Sequence, residues 1–170
     1  MIRRVNYELY MRAALGEAAA AASAGERADG AVAVLDEAMV AHGREQVRAT
    51  GDPTAHAVML AIREAARRLG RSSLSGLIIF AAVEPCAMCV GALLQSDADA
   101  IVFALTDHRE GACGSALQLA DRAGRAGRSR RLRVVSGILG DEAADLWPGV
   151  RDGQDGARAA GDARGVHAPG

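Results

Sequence analysis

Residues 7–22 are rich in alanine, and Leu9, Ala13, Ala14 and Ala18 recur at helical spacing before Gly25, which predicts a first helix. Two short apolar runs at 31–35 and 38–41, separated by Asp36-Glu37, read as the strands of a hairpin, although that turn lacks the usual Gly or Asn. Asp52-Pro53-Thr54 offers an N-cap and a first-turn proline; Met59, Ile62, Ala66 and Leu69 then form an apolar stripe that ends before Gly70. The unbroken apolar run 77–83 has the pattern of a strand buried on both faces, and Pro85 opens the next helix. A second buried strand is expected over 100–105, a short helix over 114–122, a final strand over 132–138, and a last helix capped by Asp141 and ending at Trp147. Strands therefore alternate with helices, which argues an α/β layered sandwich with a partly parallel sheet. Past Pro148 little that is large remains to bury, so 1–148 reads as one domain and 149–170 as a disordered tail.

Composition narrows the chemistry. The chain has 170 residues, half of them apolar, which suits a single core, and only 3% aromatics, so that core is packed from Ala, Val, Leu and Ile. The formal charge is −1 and every basic residue is arginine, so the whole-molecule field does not mark nucleic-acid binding, although local patches remain open. No apolar run approaches the roughly 20 residues of a membrane helix. Three cysteines, two of them spaced Cys-x-x-Cys, with no signal-peptide pattern, point to a reducing, cytoplasmic setting and to metal or redox use.

Catalytic zinc takes three protein ligands and leaves the fourth tetrahedral position to water. Cys86 and Cys89, at i and i+3 at the start of a helix, share a face, and the helix N-terminus favours their thiolates. His56, expected in the first turn of the preceding helix, is aimed from a second helix N-terminus. Alone, the histidine reads as a core residue and the cysteine pair as a redox pair or half of a structural zinc site. The flanking residues decide between these readings. Pro53-Thr54-Ala55-His56-Ala57, followed by Glu84-Pro85-Cys86-Ala87-Met88-Cys89-Val90-Gly91-Ala92, resembles the His-Ala-Glu and Pro-Cys-x-x-Cys signatures of the zinc-dependent nucleoside and cytidine deaminase superfamily, most closely the tRNA-specific adenosine deaminases. Gly30-Ala31-Val32, Gly111-Ala112-Cys113-Gly114-Ser115 and Gly137-Ile138-Leu139 fall in the family's order and spacing, so the resemblance covers roughly residues 5–147. It implies a three-layer α/β/α cytidine-deaminase-like sandwich with a five-stranded mixed sheet. It also implies one Zn2+ per chain on His56, Cys86 and Cys89, and usually a dimer or higher oligomer whose neighbouring subunits shape the active site.

In that family a zinc-activated water attacks a ring carbon bearing an exocyclic amine, and a glutamate two residues after the histidine moves the protons. Here that position is Val58. Losing general acid–base catalysis alone costs on the order of 10²–10⁴ in rate. Glu84 and Glu45 are candidate substitutes: Glu84 adjoins the cysteine helix, where its plainest role is to cap it, and Glu45 falls where the family has a substrate-gripping asparagine. A carboxylate at Glu45 lacks the amide's donor–acceptor pair and repels phosphate. Arg27-Ala28-Asp29 places charge where the family is apolar, beside the expected substrate-binding positions Asp29, Ala31 and Glu45. The motif His56-Ala57-Val58-Met59 is similar to that of the noncatalytic subunit of the eukaryotic heterodimeric tRNA adenosine deaminase.

These residues lead to three readings. The first is a zinc-binding deaminase scaffold with lost or weakened catalysis, acting as an accessory subunit in a homodimer or with an active deaminase, with tRNA or a nucleoside as ligand. The second is an active deaminase using Glu45 or Glu84, and the third a zinc-stabilised interaction module. The arginines between Arg122 and Arg133 are either a phosphate-binding loop or a solvated one, Arg63, Arg67, Arg68 and Arg71 a solvated helix face, Cys113 a free thiol, and Trp147 an anchor for the last helix.

Overall fold

The computed structural model describes residues 5–121 and 131–147. Its elements run α1 (Tyr7–Ser23), β1 (Gly30–Leu35), β2 (Ala38–Arg44), α2 (Val47–Thr50), α3 (Ala57–Leu69), β3 (Ile78–Val83), α4 (Ala87–Gln95), β4 (Ala100–Leu105), β5 (Arg133–Ser136) and α5 (Gly140–Leu146). The tail 149–170 and most of the arginine-rich segment lie outside the described residues.

The five strands form one mixed sheet in the order β2-β1-β3-β4-β5, antiparallel from β2 to β3 and parallel from β3 to β5. β4 is buried along its whole length and β3 nearly so, as their unbroken apolar runs require of strands covered on both faces. On one face α1 and α5 close over Val32, Phe80, Val102 and Ala104; on the other α3 and α4 close over Ala31, Ile79, Ala81 and Ile101. All of the scarce aromatics except Phe103 gather on the first face, where Tyr7 and Tyr10 stand 5.7 and 5.3 Å from the Phe80 ring centroid. No described helix is long and apolar enough to cross a membrane.

Local chemistry explains where expectation and fold part. The hairpin forms, and its turn is made by Asp36 and Glu37 themselves at φ 50° and 64°, both in the left-handed region that a two-residue hairpin turn demands. In α1, Leu9 is 57% exposed, and the buried stripe is Met11, Ala14, Leu15, Ala18 and Ala21. α3 begins at Ala57 instead of at Asp52-Pro53, because Asp52 spends its Oδ1 on the Thr54 amide and hydroxyl in a separate turn. Residues 114–121 form no helix: the chain there is pinned by backbone bonds to Gly111 and Ala112. α5 is entered through Leu139 at φ 55°, and Asp141 sits in its first turn, where it complements the helix dipole instead of capping.

One close approach sets the site. At Gly43 on β2, a Cβ would stand within 3.0 Å of both the Ala57 carbonyl and the Ala61 amide, so the N-terminal end of α3 rests directly on strand backbone. The parallel strands β3 and β4 deliver their C-terminal ends to that same edge of the sheet, together with the start of β1 and the end of β2.

Candidate metal centre and its pocket

His56 is the N-cap residue of α3 and Cys86 the N-cap residue of α4, with Cys89 one turn further on; none of these helix starts is capped by its own side chain. The side chains are therefore free to converge. Cys86 Sγ lies 3.6 Å from His56 Nδ1 and 3.8 Å from Cys89 Sγ, and Cys89 Sγ lies 3.8 Å from His56 Nδ1. Tetrahedral zinc with Zn–S near 2.3 Å and Zn–N near 2.05 Å requires S···S edges of about 3.8 Å and S···N edges of about 3.6 Å. The edges match to within about 0.2 Å, so the donor set fits the ion. No fourth His, Cys, Asp or Glu among the described residues joins the group, which leaves one position open. Sharing one proton between the sulfurs holds the Cys86 thiol down at about 5 and pushes that of Cys89 up; a divalent ion displaces that proton and takes both as thiolates.

Val58, two residues into α3, is 1% exposed and packs in the cluster that contains Cys89, Ala31 and Ala57. Ala31 is likewise fully buried within that cluster.

Glu84 is placed elsewhere. Its carboxylate accepts the amides of Asp107, Cys113 and Ser115 at 3.0, 2.9 and 3.3 Å and the Ser115 hydroxyl as well. It therefore clamps the 107–115 loop and does not cap the cysteine helix. Gly111 is required beneath it, because a Cβ there would press on the Glu84 carboxylate and the Asp107 carbonyl. Through that clamp Ala112 donates its amide to the Pro85 carbonyl at 2.9 Å and Gly111 bridges to Cys86, so the loop becomes the wall beside the metal ligands. Cys113 stays a free, half-buried thiol, pushed up to about 12 by burial and then by Glu84, and is not in the ligand group.

Asp29 and Glu45 meet directly across the ladder: Gly30 pairs with Arg44, and one step beyond, the Glu45 amide donates to the Asp29 carbonyl at 3.1 Å. Both are buried, at 9% and 5% exposure. Glu45 Oε2 accepts the Ala57 amide at 3.2 Å, so the first amide of α3 beside His56 is satisfied by Glu45 and not by Asp52. Asp29 Oδ1 accepts the Gly30 amide at 2.9 Å. Burial pushes Asp29 up to about 7 against the pull of Arg27, and burial likewise raises Glu45 against the pull of His56.

Beside the carboxylate pair runs a linkage without local sequence signal, because its bonded partners lie 80 or more positions apart. Arg27 reaches Asp107 Oδ2 at 2.9 Å and Glu110 Oε2 at 3.4 Å, and its guanidinium lies 5.0 Å from the Trp147 ring centroid. Trp147 donates its indole N–H to the Ala28 carbonyl at 2.7 Å, which anchors the end of α5 on the 27–28 segment. Arg67 and Arg68 both pair with Glu64 on the outer face of α3.

Residues 4–105 match the cytidine and deoxycytidylate deaminase zinc-binding region. The chain is 37% identical over 114 residues to a tRNA-specific adenosine deaminase of Aquifex aeolicus, covering 67% of this chain and 76% of the relative. With the tRNA-specific adenosine deaminase of Bacillus subtilis it shares 34% identity over 139 residues, 82% of this chain and 84% of the relative. Its fold superposes with a TM-score of 0.70 and 29% identity on a solved structure of a tRNA:A34 deaminase of A-to-I editing at the wobble position, covering 81% of this chain and 98% of that one. Sequence match, sheet order and the tetrahedral spacing of His56, Cys86 and Cys89 agree: the chain belongs to the cytidine and deoxycytidylate deaminase zinc-binding family, with the scaffold of its tRNA adenosine deaminases.

Proposed function

We propose that this chain is a zinc-binding deaminase scaffold whose own deamination is lost or severely weakened, and that it serves as a cytoplasmic accessory or partner subunit, as a homodimer or beside an active deaminase that handles tRNA or a nucleoside. The observation that carries the reading is Val58, a buried aliphatic side chain two residues after His56, where the family resemblance would put a proton-carrying glutamate. Zinc on the triad would supply Lewis-acid activation of water. This chain's residues would hold and orient the ion, with His56 and Cys86 presented from two helix N-termini. Valine neither accepts nor donates a proton, so the transfers from water to ring nitrogen and leaving amine have no carrier there. Glu84, with both oxygens committed to the 107–115 loop, gives the substitute-shuttle reading no support.

Purified protein is expected to carry about one zinc per chain and to be inert toward adenosine, cytidine, guanine and tRNA. Turnover of any of these well above a Cys86→Ala control would sink the proposal. Val58→Glu is expected to raise deamination of the matching substrate by a factor on the order of 10² or more. The second reading, an active deaminase, draws on Glu45, which keeps one carboxylate oxygen without a hydrogen bond among the described residues. It requires that Glu45→Gln abolish a measurable wild-type rate.

A further inference from the structure

A cavity of about 500 Å3 lies at the free edge of β2, where that strand meets the outer face of α3. His42, Arg44 and Gln46 line it from the strand and the turn that follows, and Leu60, Arg63 and Arg67 line it from the helix. None of the six is a metal ligand. β2 is an outer strand whose Glu45 amide points inward to Asp29, so the alternation of an antiparallel ladder turns the backbone groups of His42 and Arg44 outward, toward the cavity. Further along that edge Arg68 Nη1 donates to the Val40 carbonyl at 3.1 Å. The stretch left open, from His42 to Arg44, is shorter than the about five residues of a typical added strand.

Donors outnumber acceptors on these walls. Glu64, the one carboxylate in the lining, accepts Arg67 Nε and Nη2 at 2.8 and 2.7 Å and Arg68 Nε as well. Glu17, reaching round from α1 and 17% exposed, accepts Arg44 Nε at 2.8 Å and lies 3.0 Å from His42 Nδ1, so it fixes both side chains from behind. Arg63 donates Nη2 to the Thr54 hydroxyl at 3.2 Å, and the carboxylate paired with it, Asp52, stands 4.0 Å off. The guanidiniums of Arg44, Arg63, Arg67 and Arg68 therefore exceed the carboxylates of Glu17, Asp52 and Glu64 by one charge. Both Nη nitrogens of Arg44 and the Nε of Arg63 make no hydrogen bond among the described residues. Fork-shaped donors carrying excess positive charge match a phosphate. The volume is that of a pocket for a small organic molecule, beyond what a bare phosphate fills. Half-buried Leu60 supplies an apolar wall, and the Gln46 amide offers a donor and an acceptor.

We propose that this cavity binds a phosphate ester at a site separate from the metal centre, with the phosphate held by Arg44 and Arg63 and the organic body lying against Leu60 and Gln46. A free nucleotide-sized ester and the backbone of an RNA strand present the same phosphate chemistry to these residues.

Calorimetry on the full-length, zinc-loaded protein at low salt tests it by comparing AMP with adenosine. AMP is expected to bind at least about tenfold tighter, with the margin shrinking as salt is raised. Arg44→Gln and Arg63→Gln, each checked for an unchanged thermal unfolding profile, are expected to weaken AMP about tenfold. Cys86→Ala, which disables the metal site, is expected to leave AMP binding unchanged, so the result does not depend on the accessory reading. A short single-stranded RNA is the second arm. RNA that displaces AMP and is weakened by the same two arginine variants supports the site with a strand backbone as its source; AMP binding that RNA does not displace supports it with a free ester as its source. Equal affinity for AMP and adenosine overturns the proposal unless RNA binds through those arginines. AMP binding that survives intact in both arginine variants overturns it, as does AMP binding lost in Cys86→Ala, which places the phosphate at the metal centre. Absence of AMP binding up to about 10 mM, together with absence of arginine-dependent RNA binding, overturns it too.

Discussion

Asp29 keeps its proton up to about pH 7 in the metal-free chain because burial outweighs the neighbouring Arg27 charge. An unfolded aspartate titrates near pH 3.9. Between those values the folded chain binds more protons than the unfolded one, so stability falls as pH rises from about 4 to about 7. Asp29→Asn removes that slope. Chemical denaturation of metal-free protein is expected to show the variant more stable than wild type by roughly 2–4 kcal/mol at pH 8, with little difference at pH 4. Equal stabilities at pH 8 would mean that Asp29 is ionised in the fold at no cost. A wild-type residue that lowers stability at neutral pH, in the electrostatic neighbourhood of His56 and Cys89, has the character of a group kept for function.

At the scale of elements, the metal ligands depend on how α3 is seated. His56 has no capping bond of its own to fix it; its position comes from the Ala57 amide on Glu45 and from the Gly43 contact beneath the helix. Gly43→Ala is expected to lift the start of α3, lowering stability by roughly 1–3 kcal/mol and weakening zinc about tenfold or more, as read by chelator competition. A stability loss with unchanged zinc affinity would separate the helix seat from the ligand. These couplings also mark what was legible in the chain. The strands β3 and β4, buried on both faces, were readable as continuous apolar runs, and the ligand triad from His56 and the Cys86-x-x-Cys89 spacing. The start of α3 was not, because Asp52 looks like a cap until its oxygen is seen bonded to Thr54. Glu84 was misread for the same reason: proximity to α4 suggested a cap, while its partners lie 23 to 31 residues ahead. Leu9 shows that in an alanine-rich helix the large side chain need not define the buried face.

For the whole molecule, the triad joins α3 to α4 on the sheet face they share, so an ion bound there would cross-link the fold. An ion that binds only the folded chain adds about 2.7 kcal/mol when its free concentration is 100 times its dissociation constant. Thermal unfolding with and without a chelator is expected to show Tm several degrees lower for the stripped protein, and Cys86→Ala should erase the difference. An unchanged Tm on stripping would mean that the purified chain carried no ion. The other long-range tie is the Arg27, Asp107 and Trp147 linkage, which joins the 27–28 segment and the 107–115 loop to the end of α5. Trp147 is the sole tryptophan of the chain. Its ring lies against a guanidinium and its indole N–H is bonded to the Ala28 carbonyl, one residue from Asp29. The protein therefore contains its own optical gauge, an intrinsic fluorophore whose emission is governed by its contacts with the 27–28 segment, so that displacement of that segment from the end of α5 can be followed without a label.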